Sequence, residues 1–278
     1  MKIYRLLCSA AVLLSLISLC HAQTADPQSA QPLWEAGIAA GVVSQQAYPG
    51  SDQQIKRTLV LPYVAYRGQY LRADREGVQV RGYKSDVLEL DLSFAASLGS
   101  NSSDIVARQG MPNLGTLFEV GPRANINLGN GPLGGRWKLD VPLRGVFDLS
   151  NSLAYQGLIF EPKITLFGIT SGGLGYGLSA SAAVGNRKLT DHFYGVAPIY
   201  ANASRAAYEA KPGLVSTRLE LGLTQRLSDN WRLFGFARLD NVALAANSNS
   251  PLVKQTTGTS VGMGLVYTFY RSDSRAAK

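Results

Sequence analysis

The side chains with most chemistry to offer are carboxylates, guanidinium and ammonium groups set two or four residues apart. Glu89 and Asp91, Glu119 and Arg123, and Glu161 and Lys163 follow this spacing, as do Arg218 with Glu220 and the series Arg136, Lys138, Asp140, Arg144 and Asp148. Even spacing puts such residues on one face of a β-strand. On the concave face of a closed sheet, opposed charges have two uses. In a narrow barrel they interlock as a salt-bridge network that fills the interior, and in a wider one they line a water path and set ion selectivity. The near balance of signs favours the filled interior.

Catalysis has little to build on. His192, in Asp191-His192-Phe193-Tyr194, is the one histidine beyond the first 22 residues, and a lone loop histidine is expected to be solvated. No G-x-S-x-G, no H-E-x-x-H and no His/Cys cluster accompanies it, so the expectation is no enzyme, no cofactor and no metal. Val184-Gly185-Asn186-Arg187 and Gly172-Gly173-Leu174-Gly175 are Gly-rich but are expected to precede no helix. They read as turns rather than phosphate cradles, which need a strand-loop-helix context. The net charge of +8 comes from scattered basic residues. No dense Lys/Arg run marks a nucleic-acid surface, so no nucleic-acid partner is expected.

The elements that position the charges are strands. In 135–149, Trp137, Leu139, Val141, Leu143, Phe147 and Leu149 share one parity and the charged residues the other. The same alternation recurs at 87–98, 117–128, 174–185 and 260–270, and more weakly at 33–44, 56–66, 69–74, 77–82, 157–169, 213–226 and 231–243. These make about twelve strands, with ten as the alternative count, an even number as bacterial barrels require. Links after odd-numbered strands (45–55, 75–76, 99–115, 150–156, 186–212, 244–259) are mostly long. Those after even-numbered strands (67–68, 83–86, 129–135, 170–173, 227–230) are short. Parity of loop length predicts a closed antiparallel transmembrane β-barrel with short periplasmic turns and longer external loops. Trp34, Tyr63, Tyr66, Trp137, Trp231, Tyr267 and Phe269, near strand ends, are expected in interfacial girdles facing lipid.

Lys2 and Arg5 ahead of the apolar run Leu6–Leu19, with Cys20-His21-Ala22 after it, read as a secretory signal cut after Ala22. Lipidation at Cys20 is disfavoured because Leu19 precedes it. Cys8 and Cys20 both lie in that segment, so the exported chain would carry no thiol. The expected organisation is a signal at 1–22, a short periplasmic segment at 23–32, an outer-membrane barrel at 33–270 and a polar tail at 271–278.

Further residues carry a resemblance. The run Ala47-Tyr48-Pro49-Gly50-Ser51-Asp52, then Leu61-Pro62-Tyr63 with Tyr66-Arg67-Gly68, resembles the MipA/OmpV family of outer-membrane proteins. Leu71-Arg72-Ala73-Asp74, Gly77-Val78 and Phe193-Tyr194-Gly195-Val196 are similar to further blocks of that family. Tyr48, Pro49, Gly50, Ser51 and Asp52 read first as a type II turn, with Pro fixing φ and Gly accepting a positive φ, and second as a contact surface. The final Tyr267-Thr268-Phe269-Tyr270 resembles the aromatic-ended assembly signal of barrels, yet Arg271 to Lys278 follow it. The resemblance implies a non-enzymatic outer-membrane scaffold that holds a lytic transglycosylase and a murein synthase, with Gly129 to Gly135 and the C-terminal tail as the largest periplasmic candidates. Two alternatives stay open: a narrow diffusion channel using the charged lumen, and an adhesin or receptor using the long loops. Oligomeric state is left undetermined.

Overall fold

The computed structural model describes residues 31–74 and 77–276. The signal segment and the end of the tail lie outside them. The strands are β1 (Trp34–Gln46), β2 (Gln54–Arg67), β3 (Leu71–Asp74), β4 (Gly77–Lys84), β5 (Leu88–Ser97), β6 (Leu117–Asn130) and β7 (Arg136–Asp148). Then follow β8 (Ala154–Phe160), β9 (Lys163–Ile169), β10 (Leu174–Gly185), β11 (Gly213–Arg226), β12 (Trp231–Asn241) and β13 (Thr257–Arg271). Each pairs antiparallel with its neighbours, and β13 returns to β1, so the sheet closes on itself. Closure gives every strand a neighbour on both sides over at least part of its length, so the sheet has no outermost strand.

β8 and β9 are two halves of one barrel strand. β8 pairs with Leu143–Asp148 of β7 and β9 with Arg136–Asp140. The ring therefore has twelve strands. Sequence alternation over 157–169 gives one uninterrupted strand, but the chain breaks at Glu161-Pro162, because Pro162 has no N–H to give the ladder. A second departure is an eight-residue helix, α1 (Arg187–Tyr194). It begins right after Asn186, whose side chain accepts from Leu189 N at 3.1 Å as an N-cap. Two turns are too few to show a helical period, so Val184 to Arg187 end a strand and start a helix rather than forming a plain turn.

The two faces of the wall follow the period of two. On β7, Asp140, Pro142, Val146 and Asp148 are buried inside, while Leu143 faces out. Val60, Val64, Leu178, Leu219, Val261, Met263 and Phe269 are likewise exposed on the outer face. An apolar band of this kind suits lipid and would be costly in water. Trp34 stacks on Tyr270 and Trp231 packs on Tyr267, all four at the end of the barrel that carries the short turns. Tyr63 does not join them. It points inward, 6% exposed, and its hydroxyl donates to Glu35 at 3.5 Å, because it shares the parity of Leu61 and Ala65.

The polar tail is ordered against the start of the chain. Leu33 N donates to Ser274 O at 2.7 Å, Ala276 N to Gln31 O at 2.8 Å, and Pro32 bridges to Arg275. These bonds lengthen the β1–β13 seam beyond the wall.

Candidate functional site

The interior holds a belt of charge built by alternate residues of several strands. Arg144 of β7 contacts Glu119 of β6 at 2.8 Å and Glu161 at 3.1 Å. Glu161 also binds Arg218 of β11 at 2.6 Å, and Arg218 reaches Asp240 of β12 at 2.7 Å. Arg238 shares Asp240 at 2.8 Å and donates to Ser260 of β13 at 3.2 Å. Glu161 lies at the break between β8 and β9, and that position lets one carboxylate serve two guanidinium groups. A second group sits beside the first. Arg123 grips Asp91 through two bonds of 3.0 and 2.8 Å and also donates to Gln79. Asn125 donates to the same carboxylate at 2.7 Å, Arg81 pairs with Glu89 at 2.7 Å, and Lys138 with Asp140 at 3.3 Å.

Other predicted residues stand apart. Asp148 lies near the long-loop end and accepts from Ser150 N at 2.8 Å. Arg136, at the opposite end, lies over the Phe167 ring at 5.6 Å. Lys163 and Glu220 border the interior cavity, and Oε1 of Glu220 is buried with no hydrogen bond among the described residues. Arg238, Asp240 and Arg81 belong to the belt but were not singled out from the sequence. Arg238 and Asp240 carry the same even-spacing signal on β12.

Above the belt the long loops fold into a cap with its own apolar core of Ala47, Tyr48, Ile105, Ala107, Leu114, Val196 and Leu252. The Tyr48–Ser51 turn closes with Ser51 N donating to Tyr48 O at 3.0 Å, with Gly50 at φ +91°. Tyr48 and Ser51 are buried, so this segment offers the cap's interior more than a contact surface. The Tyr48 hydroxyl donates to Leu252 O at 2.7 Å, and burial pushes its pKa up to about 12 against the opposing pull of Arg108. Arg205 spends its guanidinium on backbone carbonyls: Ala107 at 2.9 Å, Gln109 at 3.1 Å and Tyr200 at 2.7 Å. Arg108 does likewise with Phe193 and Pro112, both at 3.2 Å, and burial pulls its pKa down to about 10.

His192 lies within this cap on α1, not free in solvent. Its ring meets Phe193 edge-on at 5.2 Å, and burial, aided by the Arg108 charge, lowers its pKa to about 4. Among the described residues no group of three or more His, Cys, Asp or Glu side chains is placed to hold a metal ion. Between cap and belt lies a cavity of about 290 Å³, with Glu119, Arg144 and Arg218 on its charged side and Leu189, Phe193 and Val215 on its apolar side.

Among solved structures, the chain is similar to an outer-membrane phospholipase A of Escherichia coli at 14% identity, over 91% of this chain and 97% of that one, with a TM-score of 0.36. An outer-membrane channel from Pseudomonas putida F1 matches at 10% identity, over 90% of this chain and 100% of that one, with a TM-score of 0.36. OprB of Pseudomonas putida matches at 8% identity over 69% of this chain, with a TM-score of 0.38, and the chain spans about half of its length, 47%. Likeness this faint adds nothing to the barrel traced above strand by strand. No curated protein matches the chain. The family described as MltA-interacting protein MipA matches residues 38–269, from within β1 to within β13. The chain belongs to the MltA-interacting protein MipA family.

Proposed function

We propose that the protein is a non-enzymatic anchor in the outer membrane that holds a lytic transglycosylase of the MltA type, and with it a murein synthase, at the periplasmic face. The single observation that carries this reading is the family match over 38–269, because the family's description names an interaction with MltA. The interior fits the same reading. A cap of packed loops and a belt of paired charges stand across the interior, where a diffusion channel needs a continuous water path. The packing of the long loops into one another also leaves less free surface for adhesion.

With the short turns taken as periplasmic, the contact surface lies at that end. Pro132-Leu133-Gly134 projects there, with Leu133 80% exposed at φ 56°, a conformation a branched side chain rarely adopts. The paired segments 31–34 and 272–276 lie at the same end. Immobilised, refolded barrel should retain a purified lytic transglycosylase of this type, and Leu133→Asp together with deletion of 272–278 should weaken retention at least about tenfold, the loss expected for an anchor residue worth over 1 kcal/mol. Equal retention by both forms would move the contact elsewhere, and no retention by either would end the proposal.

A further inference from the structure

The wall is incomplete on one side. β2 pairs with β1 along its whole length, from Gln46↔Gln54 to Trp34↔Tyr66. On its other side, among the described residues, only Tyr66 and Arg67 pair, because β3 has four residues. The β4–β5 ladder likewise stops at Gln79↔Ser93. From Gln54 to Pro62 on β2, and from Phe94 to Ser97 on the β4 side of β5, no strand lies alongside among the described residues. Burial follows the gap: Leu61, Tyr63 and Ala65 are buried on the inner face of β2, whereas Ile55, Arg57 and Leu59 above them are only partly covered. The interior cavity is bordered by every residue from Ser93 to Leu98, both parities of β5, so it reaches this free edge. Arg57 spans the top of the gap, donating to Gly99 O at 2.5 Å, and Gln53 donates to Asp104 O at 3.1 Å.

The backbone is arranged for an open edge. Arg67 N–H turns toward Leu33 on the β1 side, so the period of two sends the groups of Thr58, Val60 and Pro62 into the gap. Pro62 has no N–H to leave unpaired there, and it obstructs a guest strand that would use the same edge. Val60 and Val64 are exposed in the apolar band. Free backbone groups at that depth persist only beside water or another polar group. At the upper corner stand two cations, outward-facing Lys56 and inward-facing Arg57, with no carboxylate in ion-pair contact among the described residues.

We propose that the opening between β2 and β5 is a lateral binding site for a phosphate-bearing lipid from the leaflet at the long-loop end. The phosphate rests on Arg57 and Lys56. The glycerol-ester oxygens accept from the N–H groups of Thr58 and Val60, and the acyl chains follow the outer face of β2 past Pro62. Charge selects the headgroup, and the unpaired edge supplies donors that a pure hydrocarbon chain could not use. The site is independent of the anchoring role proposed above.

The test titrates the folded barrel with phosphatidylglycerol, with diacylglycerol of the same chains, and with inorganic phosphate. Bound lipid is read by native mass spectrometry, and hydrogen exchange is followed at Thr58 and Val60. Phosphatidylglycerol should bind and slow both amides, diacylglycerol should bind at least about tenfold more weakly, and inorganic phosphate should not displace the lipid. Lys56→Gln with Arg57→Gln should lower phosphatidylglycerol binding at least about tenfold, the equivalent of one charge-assisted contact. Arg57→Lys should stay within about threefold, and Arg187→Gln, in an exposed pair with Glu209, should change nothing. Heat-modifiable migration verifies that each variant is folded. Equal binding by the double variant, equal binding of diacylglycerol, displacement by inorganic phosphate, or amides already protected without lipid would each overturn the proposal.

Discussion

The belt and the cap both obstruct the barrel, yet their arginines find partners in different currencies. In the belt, Arg144, Arg218 and Arg238 meet carboxylates on neighbouring strands. In the cap, Arg108 and Arg205 meet backbone carbonyls of loops far away in sequence. A rigid ladder fixes where charged side chains project, so opposite charges can be matched strand by strand. Loops have no ladder, and their unpaired carbonyls need donors once buried, a need that a five-donor guanidinium meets well.

The comparison is broken most severely by Arg218→Ala. It leaves Glu161 and Asp240 each short of a partner inside the barrel, at a cost of about 3–5 kcal/mol. The temperature at which heat-modifiable migration is lost should fall clearly; an unchanged value would mean that water already screens the belt. Arg205→Ala strikes the matching point of the cap. It strands carbonyls rather than charges, so the expected cost is about 1.5–3 kcal/mol. The damage should stay local, with protease cutting faster in 98–116 and 196–208 while the barrel keeps its thermal transition.

The smallest effect sharpens the contrast through pH. The folded cap holds the His192 pKa near 4, below its ordinary 6.5. Between those values the unfolded cap binds the proton more readily. The contribution to cap stability is therefore complete above about pH 6.5 and is lost as pH falls toward 4. Protease resistance of the loops should decline over that window, and His192→Phe should flatten the decline. A slope that survives the substitution would assign it to other groups.

The barrel was legible because alternation is a local signal. Trp137 and Arg136 declare their opposite faces without reference to any other strand, and the loop-length asymmetry follows from strand boundaries alone. The belt was half legible. Parity singled out Glu119, Arg144, Glu161 and Arg218, but only three-dimensional register shows that Glu161 is shared, or that Asp240 closes the series. The cap was hidden, since Arg205 pairs with carbonyls and every residue has one. The four-residue length of β3, which opens the wall, was equally hidden. Alternation over 69–74 marks a strand without saying how far its neighbours outrun it.

The seam between β1 and β13 carries a consequence for how the molecule is made. Its partners, such as Gly41 and Gly264, are separated by most of the chain. A Cβ on either glycine would press on the opposing backbone, so the two strands approach closely along this line. β1 emerges first during synthesis and must wait, unpaired on that side, until the last strand arrives. The ribbon formed by 31–34 and 272–276 then behaves as a clasp, adding grip at the point where the ring is fastened last.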